Sequence, residues 1–212
     1  MKNFVYASLM LSLFLACHRT DPGDFAAWET ALINQSDSTM RVLSISDDLD
    51  SIVLRTSSTD LSAPALLSAE FAELSRLMVA TVTHPSQDGV GIAAPQVGLN
   101  RRVVAVQRFD KEGEPFEVYP NVRIIYMSDS LAYGPEGCLS VPDRRGDVLR
   151  SQEVVVEYAD MEKLGKSASG SSFGTEGITE IPTRRDTVKG FTAVIFQHET
   201  DHLDGVLYID RL

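Results

Sequence analysis

QHETDH, residues 197–202, lies near the end of a 212-residue chain and places a glutamate between two histidines. Just upstream, Phe191, Val194, Ile195 and His198 recur at helical spacing, and Gly205 stands where a helix would end. The pattern predicts a helix over 189–203. On such a helix His198 and His202 are one turn apart on one face. Two imidazoles so placed can hold one divalent cation, with Glu199 projecting beside them to act on water. The same residues also fit an ordinary buried helix end whose charges, Asp201 and Asp204 among them, are paired.

Two histidines need at least one more protein ligand. Downstream of His202 there is no further His or Glu; Asp204 and Asp210 do not occupy familiar ligand positions. Upstream, EGCLS (136–140) offers Cys138. Alone, a cysteine is most often a buried structural residue. Together with His198 and His202 it makes three ligands and leaves a fourth position open, as a catalytic metal requires. A third stretch, GVGIAAPQVG (89–98), is glycine-rich but lacks the Lys-Ser/Thr of a phosphate loop. Ala94 also stands where the last glycine of a dinucleotide fingerprint would be. The alternative is a close backbone wall beside a substrate, with Gln96 offering a neutral amide to a developing oxyanion.

The rest of the chain gives these stretches a frame. The net charge of -11, without basic clusters, excludes nucleic acid as a partner class. Leu67, Phe71, Leu74, Leu77, Met78 and Val82 predict a helix over 68–83 capped by Ser68. Strand-like runs follow at 102–107, 116–119, 122–126 and 153–158. Residues 41–63 read as irregular structure and 163–177 as an exposed loop or insertion. A helix before the strands and another after them give the α+β class. The N-terminus carries Lys2, an apolar run from Phe4 to Ala16, and then Leu15-Ala16-Cys17. This resembles a bacterial lipoprotein signal over 1–17, with Cys17 acylated, followed by a polar tether over 18–40. Cys138 would then be the one unmodified thiol.

GVGIAAPQ, EGCLS and QHExDH, in this order, resemble the three signature motifs of the peptide deformylase family. CLSVPDRRGDVLR and HLDGVLYIDRL are similar in style to the family around those motifs. The resemblance covers residues 41–212 and implies antiparallel sheets around a C-terminal catalytic helix carrying HExxH. It implies removal of the formyl group from N-formyl-methionyl peptides, by a chain expected to be a monomer. Cys138, His198 and His202 would be the metal ligands, for Fe2+ first and Zn2+ or Ni2+ as alternatives. Glu199 would move the proton from water to the departing amine. Gln96 and the Leu139 N–H would stabilise the oxyanion. Val90, Gly91, Ile92, Phe191, Val194 and Ile195 would form the substrate pocket, and Arg145 would help to hold the substrate backbone.

Two departures bear on role. A lipoprotein signal would place the chain on a membrane facing the periplasm or cell surface, whereas the family acts on nascent chains in the cytoplasm. The segment 161–189 is also longer than is usual before the catalytic helix. Rival readings are a metallopeptidase that has no use for Cys138 or Gln96, and a lipoprotein that binds formylated peptides without turnover.

Overall fold

The computed structural model describes residues 21–87, 89–170, 178 and 180–212. The lipoprotein-type segment 1–17 and the first three residues of the expected tether lie outside the described residues. Among the described residues, three antiparallel groups of strands make up the β structure. One sheet has the order β1 (Gly91–Ala93), β2 (Val103–Gln107), β3 (Phe116–Pro120). A second pairs β4 (Arg123–Met127) with β7 (Glu153–Ala159), and β7 with β8 (Thr183–Lys189). The third is a long hairpin, β5 (Leu131–Cys138) with β6 (Val141–Ser151). The helices are α1 (Ala27–Asn34), α2 (Asp48–Leu54), α3 (Ala63–Leu66), α4 (Ala69–Val82), α5 (Met161–Gly170) and α6 (Gly190–Leu203).

The run Val103-Val104-Ala105-Val106 shows why β2 lies at the centre. All four side chains are fully buried, because alternate residues of a strand face opposite sides. Val103 and Ala105 join Leu74, Leu77 and Met78 of α4 in one core. Val104 and Val106 join Ile195 and Phe196 of α6, with Val154, Val156 and Val188 of the second sheet, in another. The C-terminal helix is therefore packed between two sheets. Ser68 caps α4 as expected, its Oγ accepting from the Phe71 N–H at 3.2 Å.

Several expectations need correction. Residues 21–40 are not a tether. They contain α1, whose Ile33 is fully buried and whose Glu29 forms a buried pair with Arg101. Arg101 Nε and Nη2 lie 2.7 and 2.6 Å from the Glu29 carboxylate. The same guanidinium donates to the carbonyls of Pro22 at 2.9 Å and Asp24 at 2.5 Å. The partner sits 72 residues away, so no local pattern announces it. Residues 41–63 are not wholly irregular: Asp47 caps α2, accepting from the Leu49 and Asp50 N–H groups. The expected loop at 163–177 is helical through Gly170, started by Asp160 Oδ1 at 3.0 Å from the Lys163 N–H and held by fully buried Leu164. Residues 171–177 lie outside the described residues. Strands β5, β6 and β8 were hidden by charge and glycine, since each leaves much of its length exposed.

Candidate metal centre

The last turn of α6 is fixed at its end. Gly205 adopts φ 74°. Its N–H donates to the His202 carbonyl at 3.2 Å, and the Val206 N–H donates to Asp201 at 2.9 Å. This is a Schellman closure, which satisfies carbonyls left open at a helix terminus. A side chain at 205 is excluded on two counts, because its Cβ would lie 2.5 Å from the Arg55 carbonyl oxygen.

Cys138 ends β5 and reaches this turn. Its Sγ lies 3.2 Å from His202 Nε2. The ligand atoms of Cys138, His198 and His202 lie within 4.8 Å of one another. Nδ1 of His198 lies 2.8 Å from Glu136 Oε2, so Nε2 is the nitrogen left for a ligand. Glu136 is itself gripped by Arg150 at 2.7 and 3.0 Å, and Arg150 also bonds Asp201 at 2.7 Å. Arg211 closes the chain on Asp201 at 2.6 and 2.5 Å. Tyr208 stacks on His198, with ring centroids 6.0 Å apart. Such outer contacts fix which ring nitrogen is presented and where it points.

The electrostatics fit a cation. Burial opposes a proton on His198, yet hydrogen bonds to Cys138 and Glu136 and the charge of Glu199 raise its pKa to about 10. Burial and the neighbouring His198 push His202 well below its ordinary value. The cluster thus demands positive charge at one point. One cysteine sulfur and two imidazoles converging there suit a divalent transition metal with an open position.

Glu199 lies next to this cluster, buried, and its Oε2 has no hydrogen-bond partner among the described residues. Burial pushes its carboxyl up to about 7 against the pull of His198. Gly91 explains how the carboxylate fits. A Cβ on Gly91 would overlap Glu199 Oε1 and come within 2.8 Å of Ile195 Cγ2. The expected outcome for Gly91→Ala is a loss of turnover of up to about 100-fold, because a shift near 1 Å in a catalytic group costs that much. Metal content should stay constant; steady-state kinetics beside metal analysis would check both.

Gln96 sits in a tight 3-10 turn, Ala94–Val97, directly after β1. Its Oε1 accepts from the Ala93 N–H at 2.9 Å. That fixes Nε2 on the other side, 3.2 Å from Ser140 Oγ and 3.5 Å from Cys138 Sγ. A cleft of about 780 Å³ opens over the cluster. Val90, Gly91, Gln96, Cys138, Leu139, Arg145, Phe191, Val194, Ile195, His198 and Glu199 all line it. His202 lies beneath, 1% exposed. Phe191 stands 55% exposed at the mouth, backed by Phe109 with ring centroids 5.2 Å apart. Ile92 does not belong to this group. Its side chain points the other way, as strand alternation from Gly91 requires, and is buried in the core beneath α4.

Sequence reasoning missed Glu136, Arg150 and Tyr208 as supports of the metal ligands. Glu136 had one weak signal, a position two before Cys138 in a strand. Arg150 had none until the register of β5 with β6 was known.

The family model for polypeptide deformylase matches residues 40–172 and 180–212. The peptide deformylase of Leptospira biflexa serovar Patoc is 34% identical over 168 residues, covering 76% of this chain and 82% of that protein. Peptide deformylase 2 of Gloeobacter violaceus is 38% identical over 162 residues, covering 76% and 74%. Among solved structures, the Met-Ala-Ser-bound class I type b peptide deformylase of Acinetobacter baumannii superposes with a TM-score of 0.65 at 32% identity, covering 82% of this chain and 98% of that one. The actinonin-bound form of that enzyme gives 0.65 at 31% identity, covering 83% and 99%.

Proposed function

The chain belongs to the peptide deformylase family, and from that membership we propose how its residues divide the work. It is a metal-dependent hydrolase that removes the N-formyl group from formyl-methionyl peptides, yielding formate and a free amine. An ion held by Cys138, His198 and His202 would polarise the formyl oxygen and acidify the attacking water. Glu199 accepts the proton of that water as its oxygen joins the formyl carbon, and returns it to the amine nitrogen as the C–N bond breaks. Gln96 Nε2 and the Leu139 N–H donate to the formyl oxygen as it gains charge. Val90, Phe191, Val194 and Ile195 receive the methionine side chain. Gly91 and the backbone of Ile92 form the wall beside the peptide, and Arg145 holds its backbone at the rim.

The carrying observation is the buried, unpartnered Glu199 oxygen set beside three converging ligands. The test is formate release from formyl-Met-Ala-Ser, compared with acetate release from acetyl-Met-Ala-Ser. One extra methyl against a closed wall is expected to cost about 10–200-fold in kcat/KM. Binding of the formyl peptide without formate release would overturn the reading.

For the ion we propose Fe2+, which this donor set accepts along with Zn2+ and Ni2+. We further propose that the chain is a monomeric lipoprotein. The support is Lys2, the apolar run Phe4–Ala16 and the following Cys17. The anchored chain would face the periplasm or cell surface, and formyl-methionyl peptides there would be its substrates.

A further inference from the structure

We infer that the outward face of α1, centred on Trp28, rests on the lipid surface to which Cys17 is anchored; this depends on the lipoprotein reading given above. The argument starts from Arg101. Because its guanidinium binds Pro22, Asp24 and Glu29 together, the chain is part of the folded body from residue 22 onward. His18, Arg19 and Thr20 alone separate Cys17 from Asp21, so the Cα atoms of those two residues stand at most about 14 Å apart. An anchor that short does not let the domain stand off from the bilayer. The surface around the start of α1 must lie near the headgroups.

That surface suits the position. The one charged residue of α1, Glu29, is 3% exposed and neutralised by Arg101. Facing outward are Ala27, Trp28, Ala31 and Asn34, none of them charged. In a chain of net charge -11, an uncharged helix face beside the anchor is a local exception. Trp28 is 59% exposed and belongs to none of the hydrophobic clusters among the described residues. Indoles favour the headgroup level, where the ring is half in hydrocarbon and its N–H meets water. Two acidic side chains before α1 are hydrogen-bonded within the fold, Asp21 to the Gly23 N–H and Asp24 to the Ser62 hydroxyl. The contact is therefore apolar and interfacial. It should be insensitive to salt, unlike a basic patch on an anionic membrane.

Trp28 is the one tryptophan of the chain, so its fluorescence reports this face alone. The full-length chain, made in a bacterium and purified in detergent, is reconstituted into phosphatidylethanolamine–phosphatidylglycerol vesicles. Intact mass then reads whether Cys17 carries diacylglyceryl. Bromine placed on the acyl chains near the headgroups is expected to quench the Trp28 emission, as for a side chain at the headgroup boundary. The same label moved to the β5–β6 hairpin, by Tyr133→Trp in a Trp28→Phe background, should be quenched far less. A lipidated chain with unquenched Trp28, or with equal quenching at both sites, overturns the inference and leaves the lipoprotein reading standing. A chain without lipid at Cys17 overturns both.

Discussion

Glu199→Gln is expected to lower formate release about 10³-fold, within the range that a general base supplies. The metal content should not change, because Glu199 is not among the three converging ligands. Stability is expected to hold or rise. The native carboxylate is buried with Oε2 unpartnered, and a neutral amide of the same shape removes a buried charge. A folded, metal-loaded, inactive variant with an equal or higher Tm would identify Glu199 as a group placed for chemistry at the expense of stability. Retained turnover would remove it from the reaction.

Removal of the ion is expected to abolish turnover to background, and a divalent transition metal should restore it. Cys138→Ser should do nearly as much damage. The serine oxygen is shorter and harder than sulfur, and His198 and His202 would be left as two ligands where three are needed. Stability supplies a separate readout. An ion present at 1,000 times its Kd raises the unfolding free energy by about 4 kcal/mol, so the loaded protein should melt well above the stripped one. Cys138→Ser should lose most of that difference. A metallopeptidase with another third ligand would keep both activity and stabilisation in this variant.

The difference between what could be read in advance and what could not follows the range of each interaction. Helices α4 and α6 were legible to within a residue or two because their apolar periodicity and caps are local. The three ligands, Glu199 and Gln96 were legible because each lies in a short motif. Glu29 with Arg101, and Arg150 with Glu136 and Asp201, were not, because each pair joins two different segments whose register or docking the sequence does not show. No strand is predicted over the charged stretch Thr183–Lys189, yet β8 pairs along its whole length with β7. Ile92 shows the limit of motif reasoning in the other direction. It lies inside a signature stretch, but strand alternation sends its side chain into the core.

The two ends of the ligand set are 64 residues apart, and the hairpin that brings Cys138 meets His202 only when α6 docks. Closing a loop of that length carries an entropic cost that local contacts do not. The growing chain therefore holds no complete binding site until His202 has been added. An ion would enter only once Cys138, His198 and His202 have come together, from whatever pool surrounds the chain at that moment. For such a site, geometry, ligand type and metal availability, rather than raw affinity, decide which ion enters. On the lipoprotein reading proposed above, the compartment in which α6 closes over Cys138 would take part in choosing the metal.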